Sequence, residues 1–87
     1  MWFRARTSVD LGSALAESRS ARAMTQSELA VQLGVNRGTL ITIEAGRNRA
    51  INRLVEAFAI FGYDIVLVPR SATVTVRDAS AGDRSAR

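Results

Sequence analysis

TQSELAVQLGVNRGTLITIEAG fills positions 25–46 and decides the fold. Its first four residues place the Thr25 hydroxyl three positions before the Glu28 carboxylate, so each side chain can accept from the other's backbone N–H at a helix start. Leu29, Ala30 and Leu33 follow as a short apolar stripe, and Gly34 suits the left-handed position that closes a helix; the spacing predicts a helix of roughly eight residues. Val35 returns the chain to the core, and Asn36 caps a further helix that runs to about Ala45 and stops at Gly46. Within that helix Leu40, Ile43 and Glu44 share the inward side, which leaves Gly38, Ile41, Thr42 and Ala45 outward and Arg37 at the exposed start. Two short helices across a glycine turn form a helix-turn-helix unit.

Upstream, Thr7 and Asp10 repeat the hydroxyl-to-carboxylate spacing and start a helix over 8–22, with Leu11, Ala14, Leu15 and Ser18 as its buried stripe. Arg19 and Arg22 fall in its last turns, where cations suit the dipole. Downstream, Arg47-Asn48-Arg49 reads as a polar loop, and Ile51, Leu54, Val55, Phe58 and Phe61 form a fourth amphipathic stripe that Gly62 ends. The period then changes. Residues 63–68 are β-branched and apolar on both alternating faces between Gly62 and Pro69, which predicts a strand. Ile65 and Leu67 point one way, Val66 and Val68 the other, so an isolated strand would expose an apolar row and both hydrogen-bonding edges. Pairing with a second copy across a two-fold axis removes both liabilities; a hairpin with a weaker strand at 73–77 is the alternative. Trp2 and Phe3 can cover this sheet or pack on the helices. The expected division is a helix-turn-helix domain over 1–62, a dimerising β segment over 63–77 and a flexible tail over 78–87.

A chain of 87 residues holds one domain with a small core, so oligomerisation would help to stabilise it. Cys, His and Lys are all missing, which removes thiolate and imidazole metal sites, Cys or His nucleophiles and Schiff-base chemistry. No paired carboxylates stand out as an acid/base couple, so neither an enzyme nor a metal or other cofactor is expected. No apolar run of about 18 residues spans a membrane, and the first residues lack the pattern of an export leader, so a cytoplasmic location is expected. All twelve basic residues are arginine and the net charge is +4. That favours a polyanionic partner, because the guanidinium fork fits phosphate, although codon bias produces all-arginine sets too.

Residues 15–62 resemble the phage-repressor and Cro-like helix-turn-helix family through the run at 25–46, with its capping box, glycine turn, Ile43-Glu44 pair and closing Gly46. With RTSVDLG at 6–12 and GYDIVLVP at 62–69, the chain is similar to HipB-type antitoxin regulators. The resemblance implies a mainly α fold: a four- to five-helix lambda-repressor-like domain whose C-terminal strand forms an intersubunit sheet in a homodimer. It also implies a repressor of a palindromic operator that autoregulates a toxin–antitoxin operon, with a HipA-like kinase or other toxin as partner. A Cro or immunity repressor without a toxin shares the DNA chemistry, and a toxin-neutralising protein with secondary DNA binding is the other alternative. The family pattern places Arg19 against Glu44 as a structural ion pair and Gln26 on the DNA backbone. The loop between Gly46 and Ile51 departs from that pattern, being shorter and lacking proline.

In such proteins the second helix of the unit enters the major groove with its N-terminal residues toward base edges. Arg37 is the expected base reader, since arginine pairs bidentately with guanine. Gly38 and Ala45 permit close approach, Ile41 offers an apolar contact to a thymine methyl or is a plain surface residue, and Thr42 suits a base edge or a phosphate. Gln26 stands at a helix start that attracts phosphate. Asn36, Thr39, Arg47 and Arg49 are further phosphate candidates, with Asn36 alternatively engaged wholly in capping. Ile65, Val66, Leu67 and Val68 are the expected dimer contacts.

Overall fold

Every helix begins at a side chain that accepts from the otherwise free N–H groups of the first turn. Thr7 caps α1 (Ser8–Ala21), Thr25 caps α2 (Gln26–Leu33), Asn36 caps α3 (Arg37–Glu44) and Asn48 caps α4 (Arg49–Ile60). Asp10 and Glu28 complete full capping boxes at the first two. The computed structural model describes residues 1–77, and the tail expected over 78–87 lies outside the described residues. Four helices, without a fifth, are present among the described residues. Arg49 is not in a loop but is the first residue of α4, because Asn48 starts that helix before its apolar stripe begins. At the other end of α1, Arg22 is the C-cap and lies just outside the helix.

α1 packs on both α3 and α4, and α2 packs on α3; Leu40 is fully buried, and Ala14, Ala30 and Val55 are the buried apolar residues of the other helices. Small residues let the backbones approach. A Cβ on Gly12 would lie 2.6 Å from the Ile43 carbonyl oxygen and closer still to that of Glu44, so α1 rests directly on the last turn of α3. Gly46 combines a left-handed φ of +73° with a second close approach, since a Cβ there would fall 2.8 Å from Val9 Cα. No L side chain satisfies both conditions. These two contacts fix the inclination of α3 against α1.

The strand predicted over 63–68 is shorter, β2 (Ile65–Leu67), and within the chain it pairs not with 73–77 but with β1 (Phe3–Ala5). The two run antiparallel, with Phe3 opposite Leu67, Arg4 opposite Val66 and Ala5 opposite Ile65. Residues 73–77 form no strand. Directly opposed residues share a face, so Phe3, Ala5, Ile65 and Leu67 lie on one side, where Ala5 is buried. Arg4 and Val66 lie on the other, with the Arg4 guanidinium 5.9 Å from the centre of the Trp2 ring. Asp64 receives Arg6 at 3.2 Å and Arg4 at 3.6 Å, which ties β1 and the turn after it to the segment leading into β2. The outer edge of β2 is unpaired in this two-stranded sheet.

Candidate nucleic-acid interface

The interface is built from its least exposed pair outward. Arg19 donates through Nε to Glu44 Oε2 at 2.7 Å and through Nη2 to Oε1 at 3.2 Å, while Nη1 reaches the Met24 carbonyl at 2.8 Å. The two side chains are only 15% and 7% exposed. This planar fork joins α1, the turn before α2 and the end of α3, so it fixes α3 against the preceding helices. Glu44 accepts a further bond from Gln26 Nε2 at 2.9 Å, and Gln26 Oε1 accepts from Arg37 Nη2 at 3.2 Å. A hydrogen-bonded chain therefore runs Arg19, Glu44, Gln26, Arg37. Gln26, expected on phosphate, has both ends of its amide engaged within the protein.

On the outward side of α3, Arg37, Gly38 and Ala45 are exposed, whereas Ile41 and Thr42, expected to face out, are half-buried. Thr42 Oγ1 donates to the Thr39 carbonyl at 2.7 Å, so in this arrangement its proton is committed to its own helix and its lone pairs are what it offers outward. The helix drifts relative to the simple inward and outward division, and both residues sit on the boundary. Asn36 Oδ1 caps Thr39 N at 2.7 Å, leaving its NH2 group as the outward donor. Thr39 is half-buried, while Arg47 and Arg49 are exposed.

Arg53 was not singled out in the sequence, although it lies one turn after Arg49 on the same helix face; the i, i+4 spacing is a legible signal. Between Leu29 and Val55 the sequence holds one carboxylate, Glu44, and four arginines, Arg37, Arg47, Arg49 and Arg53. Glu44 is paired with Arg19, and none of those four arginines enters an ion pair among the described residues. This leaves the region around α3 with uncompensated positive charge, the electrostatic footprint of a polyanion site.

At the dimer candidates, Ile65 is half-buried and Val66, Leu67 and Val68 are exposed. Among the described residues no group of His, Cys, Asp and Glu could hold a metal ion, and no helix is long and apolar enough to cross a membrane.

The fold and this surface define a helix-turn-helix domain of the Cro-like kind, the architecture of DNA-binding regulators. A family model described as a helix-turn-helix domain matches residues 10–61, more than half of the chain, and the protein belongs to that family. No curated protein and no solved structure is detectably similar to it.

Three carboxylates make the fold sensitive to acid. The Arg19 hydrogen bonds hold Glu44 below its ordinary value, the Thr25 backbone N–H does so for Glu28, and the Arg6 backbone N–H for Asp10. A depressed folded pKa contributes stability that is complete above the unfolded value and is lost as pH falls through the folded one. With ordinary values of 4.5 for the two glutamates and 3.8 for Asp10, the melting midpoint is expected to fall progressively below about pH 4.5. It should be nearly flat from about pH 6 to 8, where no histidine titrates. Melts followed by circular dichroism across that range check both parts.

Proposed function

We propose that the protein is a sequence-specific transcriptional repressor that binds a palindromic operator as a homodimer, with α3 in the major groove of each half-site. The observation that carries this reading is the N-terminal face of α3: exposed Arg37 and Gly38 stand in a stretch whose one carboxylate is already paired. Arg37 reads a guanine, Gly38 and Ala45 admit the groove wall, Ile41 touches a thymine methyl, and Thr42 accepts from a base amino group or a phosphate-bound water. The NH2 group of Asn36, the Thr39 hydroxyl, Arg47 and Arg49 meet phosphates on either side, and Gln26 stands at the helix start facing the backbone.

A homodimer is supported by what one chain leaves uncovered. Among the described residues only five apolar side chains are buried: Ala5, Ala14, Ala30, Leu40 and Val55. Leu54 and Phe58 share one face of α4 at 58% and 39% exposure, and the C-cap Phe61, 70% exposed, follows them toward β2 and its open edge. Pairing two copies along β2 covers that edge, and residues 63–77 together with β1 then serve as the dimerising part beside the DNA-binding helices. Two half-sites read this way lie about 34 Å apart.

Equilibrium binding to a palindrome recovered by selection from random duplexes tests the reading. Affinity should fall steeply with salt, and Arg37→Ala should relax preference at one base pair per half-site by roughly tenfold. Unchanged preference would remove Arg37 from base reading. For the dimer, the melting midpoint should rise with protein concentration. Leu54→Glu should abolish that dependence, whereas a substitution at an exposed leucine of a monomer costs little.

The resemblance to HipB-type regulators adds an antitoxin role in the cytoplasm, with autoregulation of a toxin–antitoxin operon. An open apolar groove lined by Trp2, Val66, Val68, Pro69, Val74 and Val76 offers a surface for the toxin, a HipA-like kinase or another protein. Co-purification with the product of the adjacent reading frame favours that role; a Cro or immunity repressor would bind its operator and purify alone.

A further inference from the structure

We propose that the groove on the outer face of the sheet binds an extended segment of another protein in which apolar and acidic side chains alternate, held as a strand along residues 73–77. The inference rests on the reading of this groove as a protein-docking surface and gives that surface a chemistry. It depends neither on α3 nor on the partner's being a toxin.

The groove has two walls. Arg4 and Val66 face outward from the sheet, and Trp2 and Val68, two positions along each strand, fall on the same side. Past β2 the chain turns, with Ala72 N donating to the Pro69 carbonyl at 2.9 Å, and residues 72–77 come back alongside that face. Together they enclose an open groove of about 510 Å³. Its large apolar side chains, Trp2, Val66, Val68, Val74 and Val76, are all exposed. The second wall also carries an open backbone: among the described residues, no N–H or carbonyl of 73–77 bonds to another backbone group. A strand laid along it gains main-chain hydrogen bonds and places every second side chain among the valines.

Charge selects the occupant. The ionisable side chains along the groove are Arg4 and Arg77, with no carboxylate in its lining. Arg77, and Arg70 in the turn, enter no ion pair among the described residues, and Arg4 shares Asp64 with the nearer Arg6. An acidic segment meets this rim with complementary charge. A second copy seated face to face would instead set Arg4 and Arg77 against arginines, because a two-fold contact brings the same patch to itself. The chain's own residues 78–87 have only alanine as apolar side chains and do not match a floor of valines. A duplex brings hydrated phosphates, which such a floor does not recognise.

The test titrates the full chain with a blocked peptide alternating glutamate and valine, beside lysine–valine and glutamate–serine peptides of the same length. Trp2 is the only tryptophan and lines the groove, so its emission reports occupancy. The glutamate–valine peptide should shift that emission to the blue and saturate, binding roughly tenfold or more tightly than either control. Arg77→Glu should weaken it by roughly three- to tenfold, and Val74→Asp by roughly tenfold or more. Arg53→Glu, the same charge change on α4, should leave it unaltered. Both groove positions are exposed and lie outside every helix and strand, so the fold, followed by circular dichroism, should persist in both variants. Backbone amides of 73–77 should become protected from hydrogen exchange when the peptide is bound.

Equal binding of the glutamate–valine and lysine–valine peptides would overturn the acidic class, and no saturable change with any peptide would overturn the site. Protection confined to the open edge of β2, with 73–77 still exchanging, would overturn the strand along 73–77. A blue shift produced by raising the protein concentration alone would give the groove to a second copy, and one produced by a duplex would give it to nucleic acid; either overturns the proposal. If the product of the adjacent reading frame co-purifies equally well with Val74→Asp and Arg77→Glu while the peptide no longer binds them, a toxin docks elsewhere and the groove's reading as its surface fails. Peptide binding as expected without any co-purifying neighbour supports the groove's chemistry and removes the antitoxin role alone.

Discussion

Replacing Gly12 with alanine is expected to lower the melting midpoint by roughly 5–15 °C. Helix propensity alone argues the reverse, because alanine in a helix interior is favoured over glycine by about 1 kcal/mol. The sign is decided by packing. The added methyl would lie 2.6 Å from the Ile43 carbonyl oxygen and nearer to that of Glu44. Both obstacles are backbone in the last turn of α3 and cannot rotate away, so α1 must retreat from α3. Overpacking of this kind costs about 1–3 kcal/mol, a large share of the few kcal/mol that hold a domain of this size. Melts at matched protein concentration decide it, and a variant as stable as the parent would show that α1 does not rest on the end of α3.

Removing the Glu44 carboxylate should act on both stability and recognition. In Glu44→Ala, Arg19 Nε and Nη2 and Gln26 Nε2 all lose their acceptor. Breaking a shielded ion pair from one side leaves a charge facing a site built for its partner, which is more damaging than never having the pair. The expected loss is roughly 10 °C or more in midpoint, and at a temperature where the variant is still folded its DNA affinity should fall. Double replacement by apolar residues of similar size, Arg19→Met with Glu44→Leu, should recover much of the midpoint. The recovery follows because no orphaned charge remains.

Residues 25–46 were legible because local chemistry and tertiary role coincide there. Thr25, Glu28, Gly34 and Asn36 each act within four residues of their own position, so their effect on the helix boundaries needs no knowledge of the fold. The strand partner was not legible for the opposite reason. Three residues, Phe3, Arg4 and Ala5, show no periodicity, and they become a strand only because Ile65, Val66 and Leu67 lie opposite. Thr and Val alternate at 73–77 as a strand would, yet among the described residues no neighbouring backbone takes up that segment's hydrogen bonds. Asn48 was hidden between two arginines that read as loop, although its side chain accepts from Ile51 N and starts α4.

At the site, the spacing on α3 located Arg37 and Gly38, whereas the half-burial of Ile41 and Thr42 depends on where the neighbouring helices end. The link from Glu44 to Arg37 through Gln26 joins residues 18 and 11 positions apart. Nothing in a helical pattern announces such a link, and only the assembled fold brings the three together.

The most direct test is to follow backbone amide resonances of the isotopically labelled full chain while adding the selected palindromic duplex. The largest shifts should fall at 36–42 and 47–49, with smaller ones at the start of α2, and the outer face of the sheet should stay unmoved. Shifts concentrated on Trp2, Val66 and Val68, or on the Leu54 and Phe58 face of α4, with α3 unmoved, would contradict the assignment of α3 as the element that reads DNA.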